Sequence, residues 1–310
     1  MSEPEPLEDP WKAKTQIEKE EFLKQIFKCA EWEEGRLSIS TYCVKPSHNV
    51  IETGPFIQYV GDRYPQFVFS QPEIKQMRNK GAWPFKEAQK RSDFPDDPSS
   101  DGKLGELILF LFVDAVLGIP MVSHKISWTQ EPVQEVKGSD GLFYGKYEGR
   151  ESLALGESKI HKRRHDSLRK SLDSINRFYD SGGSTKTDHE LNVAANNLSS
   201  NLSKAQIQKL MDLFTGREKP YQQIHPIFAA YNENWMLDLQ ENAEDEEDLR
   251  NRIISKMEDS GVKEYLVNKL EEDEYQSLRK YQLIFFLLPL EDVDSFREEL
   301  QNEIYPYKNS

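Results

Sequence analysis

Residues 152–159 read Ser-Leu-Ala-Leu-Gly-Glu-Ser-Lys, an apolar strand that ends in an acid and a base two positions apart. Alternate side chains on a strand share a face. Glu157 and Lys159 therefore point one way and Ser158 the other. From Lys159 to Lys170 the chain carries six cations against the single acid Asp166, a balance of +5 in twelve residues. Lys162 to Asp180 reads as a helix, with Leu168, Leu172, Ile175 and Phe178 on one face. The chain must fold so that a buried strand delivers a carboxylate and an ammonium to a sheet edge, then turns into a basic helix.

Two further acids precede this stretch in order. Asp140 lies in Gly138-Ser139-Asp140-Gly141, at the start of a second strand, Gly141 to Tyr147. Glu106 opens an apolar helix, Leu104 to Leu117, with Leu109, Phe110 and Val113 at helical spacing from it. An acid on an apolar helix face is costly unless it is paired or binds a metal. The alternative is that Glu106 only occupies the first turn, where negative charge suits the helix dipole. Asp140 likewise has a plain alternative as a Ser-Asp-Gly turn residue. Glu-x-Lys also occurs at Glu73–Lys75, in a polar helical segment, and at Glu135–Lys137, which has no second acid on a strand upstream. Of the three occurrences, Glu157–Lys159 alone has an apolar strand before it, an acid on the preceding strand and a basic helix after it.

The pattern along the chain gives an α/β (α+β) protein. Residues 1–12 are acidic, contain three prolines and are expected to be disordered; a helix is expected over 15–32. Strands are expected at 37–44, 56–60 and 67–69, and a short helix at 73–80. Ser92 to Lys103 carries turn residues throughout and reads as a loop. Beyond the Leu104 helix come strands at 121–128, 141–147 and 152–159. Helices are expected at 189–198, 204–214, 249–260 and 261–273, then a very apolar strand at 281–288 and a closing helix at 293–305. This divides the chain into an N-terminal mixed region (1–100), a central α/β core (101–185) and a mostly helical C-terminal region (186–310).

Net charge is −14, which opposes long-range attraction to polyanions, although a local basic stripe can hold phosphates. Weak, salt-sensitive DNA binding is the expectation. Acids dominate from Glu233 to Glu274, centred on Glu241–Asp248, which reads as a solvated loop or, more sharply, as a partner-binding or DNA-mimicking segment. The longest apolar run, Leu107 to Val113, is too short to span a bilayer. The first residues lack the basic-then-apolar pattern of a secretory leader. Two cysteines, Cys29 and Cys43, make neither a disulfide framework nor a zinc site. A cytoplasmic protein with no membrane partner is expected. His161 and His165, four apart on the expected helix, read as surface residues beside phosphate-binding arginines. Ser181–Lys186 lacks phosphate-loop spacing, so no ATPase machinery is visible.

The order of Glu106, Asp140 and Glu157-x-Lys159 resembles the PD-(D/E)xK nuclease superfamily. Gly105-Glu106-Leu107-Ile108-Leu109, Lys137-Gly138-Ser139-Asp140-Gly141 and Leu155-Gly156-Glu157-Ser158-Lys159 resemble one branch more closely, the HamA nuclease subunits of the Hachiman anti-phage defence system. These stretches lie within residues 100–180, and Ser139 stands where the superfamily motif has proline. The resemblance implies a restriction-endonuclease-like core, with Glu106, Asp140, Glu157 and Lys159 as catalytic residues. It implies magnesium, or manganese, held by Asp140 and Glu157 with Glu106 assisting. Lys162, Arg163, Arg164, His165 and Arg169 would grip DNA. It further implies a helicase partner that restrains the nuclease until infection or DNA damage is sensed. The competing expectation is a catalytically silent scaffold subunit that keeps the same fold.

Overall fold

A computed structural model describes residues 9–91, 102–123, 140–179, 198–215, 217 and 221–306. Several expectations lie outside the described residues: disorder at 1–8, most of the 92–103 loop, the Glu135–Lys137 pair, strand residues 124–128, the Ser181–Lys186 segment and nearly all of the 189–198 helix.

The strands are β1 (Ile26–Glu34), β2 (Leu37–Val44), β3 (Pro46–Ser47), β4 (Val50–Ile51), β5 (Met121–Ser123), β6 (Gly141–Tyr147), β7 (Arg150–Ile160), β8 (Gln222–Asn232) and β9 (Gln282–Leu290). Seven of them form one mixed sheet in the order β1-β2-β9-β8-β7-β6-β5. Strands β2, β9, β8 and β7 are mutually parallel, and antiparallel pairs close both sides. The sheet thus takes strands from the N-terminal, central and C-terminal stretches alike.

Helices α1 (Lys19–Leu23), α2 (Thr53–Asp62), α3 (Tyr64–Val68), α4 (Gln71–Asn79), α5 (Pro84–Arg91), α6 (Lys103–Phe112) and α12 (Val293–Ile304) cover one face, over a single continuous apolar cluster. Helices α7 (Arg164–Asn176), α8 (Lys204–Phe214), α9 (Trp235–Asn242), α10 (Glu246–Glu258) and α11 (Val262–Glu271) cover the other, over three separate clusters. Strand alternation divides the residues: Ile284, Phe286 and Leu288 of β9 face the first cluster, Leu283, Phe285 and Leu287 the second. Helix α6 is buried on all sides, as its apolar sequence requires. It continues into a π-helical turn, Val113–Leu117, that ends at Gly118 with φ 67°, a conformation glycine adopts at no steric cost. No helix among the described residues is long and apolar enough to cross a membrane.

Several local expectations are corrected. The helix expected over 15–32 is only the short α1; Ile26 onward is β1, because Ile26, Phe27, Cys29 and Ala30 pack on both faces of a hairpin with β2. The strands expected at 56–60 and 67–69 are α2 and α3, whose Phe56, Val60, Tyr64 and Val68 follow one another at helical spacing into the first cluster. Residues 9–12 are not disordered: Trp11 is buried, edge-on to Tyr144 at 4.6 Å. The acidic run near Glu244 leads into the first turn of α10, where Asp245 accepts the Asp248 N–H at 2.9 Å and negative charge suits the dipole.

Strand β8, at the sheet centre, was not expected. Pro226 interrupts its pattern and has no N–H to give to a ladder. Its pairing with β7 skips from Ala154–Ile224 to Glu157–Ile227. In that gap the His225 Nδ1 lies 3.3 Å from Leu155 O and Nε2 lies 2.7 Å from the Tyr179 hydroxyl. The imidazole therefore serves the stretch of β7 that the proline leaves without a ladder donor. Burial holds His225 neutral, down to about 4, which suits one ring nitrogen donating and the other accepting.

Candidate active site

Helix α6 reaches β7 through two glycines. A Cβ on Gly105 would lie 2.9 Å from Ser158 Oγ, and one on Gly156 would lie 2.8 Å from Leu109 Cδ2. This close approach seats the helix directly over residues 156–158. Ser158 and Ile160 face α6, so Glu157 and Lys159 face α7, as alternation requires.

Asp140 stands one step before β6, and its N–H donates to Gly156 O at 2.8 Å. Its Oδ2 accepts from the Ser158 N–H at 2.8 Å and from Ser158 Oγ at 2.7 Å. A side-chain carboxylate thus takes a backbone donor of β7 just past the last β6–β7 pair, Gly141–Gly156. Lys159 Nζ is bonded to Glu157 Oε1 and donates to Ser158 O at 3.1 Å. Glu157 is 3% exposed. Burial, and next the nearby Asp140 charge, push its carboxyl up to about 8, against the pull of Lys159 and a hydrogen bond with Ser174 of α7.

Glu106 is buried in the first turn of α6, and its backbone N–H donates to Gly102 O at 3.0 Å. It rides on the helix that packs at Ser158. Among the described residues no three His, Cys, Asp or Glu side chains gather closely enough to hold a metal ion. Asp140 and Glu157 lie near enough for the charge of the first to act on the second.

Much of the basic segment is engaged within the protein. Lys162 pairs with Asp294 at 2.6 Å and Arg164 with Glu233 at 2.9 Å. Arg169 meets Asp173 at 2.9 Å and Asp166 at 3.7 Å. His165 stacks on Tyr265 with centroids 4.5 Å apart. Arg163, at the N-cap position of α7, is exposed. His161 is not on the helix: α7 begins at Arg164, and the His161 N–H donates to Ala230 O at 3.0 Å, one step beyond β7. The Glu73–Lys75 pair is structural, since Glu73 closes a capping box with Ser70 at the start of α4.

The sequence reading missed Ser174 and the place of His161, one step past β7 rather than on the helix. The signal was present: Ile160 is apolar, so the alternation that sets Glu157 and Lys159 on one face carries on to His161.

No curated protein matches the chain. A family model described as HamA matches residues 19–304, nearly the whole length, and the chain therefore belongs to the HamA family of the Hachiman anti-phage defence system.

Proposed function

We propose that this chain is the nuclease effector of its defence system, a metal-dependent hydrolase of DNA phosphodiesters with little sequence preference, restrained by a helicase partner. The observation that carries this reading is geometric: Asp140 is held on the Ser158 N–H and Oγ, and Lys159 is bonded to Glu157 Oε1 and Ser158 O.

The residues present fit a divalent cation. Asp140 and Glu157 offer carboxylate oxygens on either side of the Ser158 carbonyl, and magnesium is commonly held by one or two carboxylates while keeping several waters. Asp140 and Glu157 would hold the ion with the Ser158 carbonyl, and Glu106 would steady water near it. When bound, such an ion supplies an activated water and neutralises charge on the scissile phosphate. Lys159 then orients the attacking water and steadies the negative charge that develops on the phosphoryl oxygens. Ser158 fixes Asp140 through two donors, so that carboxylate is positioned before substrate arrives. Exposed cations of the α7 segment hold the phosphate backbone, contacts that position without reading sequence.

The test is plasmid cleavage by the purified chain in magnesium, in chelator and with Lys159→Ala, each with and without a helicase encoded beside it. Magnesium-dependent loss of supercoiled DNA that disappears in the variant is expected. No cleavage in any arm, from a wild type that is folded, would overturn the reading. That result would favour a silent interaction subunit, a second reading supported by the internal pairing of Lys162, Arg164 and Arg169.

A further inference from the structure

Strand β7 carries its chemistry one position further than the Glu-x-Lys pair. The ladder to β8 continues past Ile160 through the His161 N–H and Ala230 O, at 3.0 Å. Ser158 and Ile160 are turned to α6, so Glu157, Lys159 and His161 form one row on the α7 face. Opposite them α7 carries Asp166, Lys170 and Ser174 at four-residue spacing, Ser174 buried and Lys170 exposed. The two rows run antiparallel: Ser174 meets Glu157, while Lys170 and Asp166 act on His161. The helix is pinned to the strand by Ser167 Oγ, which donates to Lys159 O at 2.9 Å. Arg297 of α12 closes the far end by bonding to Ile160 O.

We infer that His161 is a further catalytic residue of this site, the base that takes the proton from the attacking water. The inference rests on the nuclease reading above. The water oxygen forms the new bond to phosphorus as its proton passes to a ring nitrogen of His161. The phosphorus–ester oxygen bond breaks with its electron pair on the leaving oxygen, which takes a proton from solvent. His161 returns its proton to solvent after the product leaves.

Four charged groups act on the ring. Lys159 from its own strand, Lys170 from α7 and Arg297 from α12 are cations, and Asp166 from α7 is the one acid among them. Burial, and next these three cations, lower His161 to about 4, so the ring is neutral near neutral pH with a lone pair to offer. A phosphodiester arriving among the same cations cancels part of their repulsion. The imidazolium then becomes easier to form when substrate is in place, and the base strengthens with binding.

Two measurements test this. In magnesium-dependent plasmid cleavage, His161→Ala should lose ~10²-fold in rate, with its melting temperature and magnesium-induced thermal shift kept. Added imidazole should restore part of the lost rate, and the acid limb of the pH–rate profile should change in His161→Gln. A His161→Ala variant that cleaves like wild type, or one that loses activity without imidazole rescue and with an unaltered profile, would overturn the role. An inactive wild type would instead overturn the nuclease reading itself, and this inference with it. Independently of turnover, the His161 ring resonance should titrate at higher pH with thymidine 3′,5′-bisphosphate present than without it. An unmoved titration, while the bisphosphate demonstrably binds, counts against the inference.

Discussion

The two faces of β7, continued by His161, serve opposite purposes. On the α6 face, Gly105 and Gly156 let helix and strand touch, and the surrounding side chains belong to one unbroken apolar cluster. On the α7 face the apolar material is split among clusters, and Glu157, Lys159 and His161 lie between the Leu153–Leu155 patch and the Leu168–Ile175 patch. Serines rather than leucines bring α7 near: Ser167, Ser171 and Ser174 are all buried. One face seals the sheet, and the other leaves a polar strip that is half enclosed. Low dielectric makes the charges in that strip interact strongly, and the continuous cluster behind it keeps them from moving apart.

The largest effect expected from breaking this contrast is on the polar face. Lys159→Ala should lower magnesium-dependent cleavage by ~10²–10³-fold, equivalent to ~3–4 kcal/mol of barrier, in line with removal of a preorganised charge-stabilising group. Its thermal melting should stay close to wild type, and a collapse in stability comparable to a core substitution would show that the polar face is structural after all.

Next comes a buried carboxyl on the sealed face. Asp114 Oδ1 accepts the Gln16 and Ile17 N–H groups, each at 2.8 Å, while burial raises the carboxyl from 3.8 to about 7. The folded state therefore binds a proton more tightly than the unfolded state. Stability from this group is fullest below about 4 and falls as pH rises towards 7, each pH unit being worth ~1.4 kcal/mol. Asp114→Asn keeps an acceptor for both N–H groups and removes the titration. It should gain a few kcal/mol over wild type at pH 8 and nothing at pH 3.5, on that same scale. Parallel urea-denaturation curves across that range would refute this.

A smaller effect should follow where the faces are closest. Gly105→Ala forces a methyl to within 2.9 Å of Ser158 Oγ and 3.1 Å of its Cβ. Overpacking of this kind costs ~1–3 kcal/mol. Because Ser158 also holds Asp140, cleavage should fall along with melting temperature. Lost stability with unchanged cleavage would separate the two faces more cleanly than proposed.

The smallest effect sharpens the comparison at its rim. Glu233→Gln releases Arg164 from its ion pair. DNA affinity, followed by fluorescence anisotropy against salt concentration, should rise severalfold, with a salt slope steeper by about one counterion. An unchanged slope would place Arg164 outside the DNA-binding surface.

Much of β6, β7, α6 and α7 was legible in the sequence because each is specified locally. Leu153 to Lys159 alternates, the Leu104 helix is apolar throughout, and Leu168, Leu172 and Ile175 repeat at helical spacing. The shared face of Glu157 and Lys159 follows from the geometry of a strand. Elements with conflicting local signals were read poorly. Phe56-Ile57 and Phe67-Val68-Phe69 have strand-forming residues in windows too short to show a period. Ile17, Phe22, Ile26 and Phe27 look like a helical stripe, which the pairing of β1 with β2 overrides from Ile26 onward. Pro226 disguised the central strand, and only its neighbours β7 and β9, with the His225 ring filling the gap in the ladder, make it one.

The sequence alone determined the order of the acids, the face shared by Glu157 and Lys159, and the family to which the chain belongs. These depend on residue type, spacing and strand geometry, all of which act over a few residues. The tertiary structure decided which of them meet. It set the Asp140 carboxylate on the Ser158 N–H and Oγ, brought Ser174 of α7 to Glu157, and tied Lys162 and Arg164 to acids more than sixty residues away. Burial and charge pairing act through space, so no local pattern in the chain encodes them.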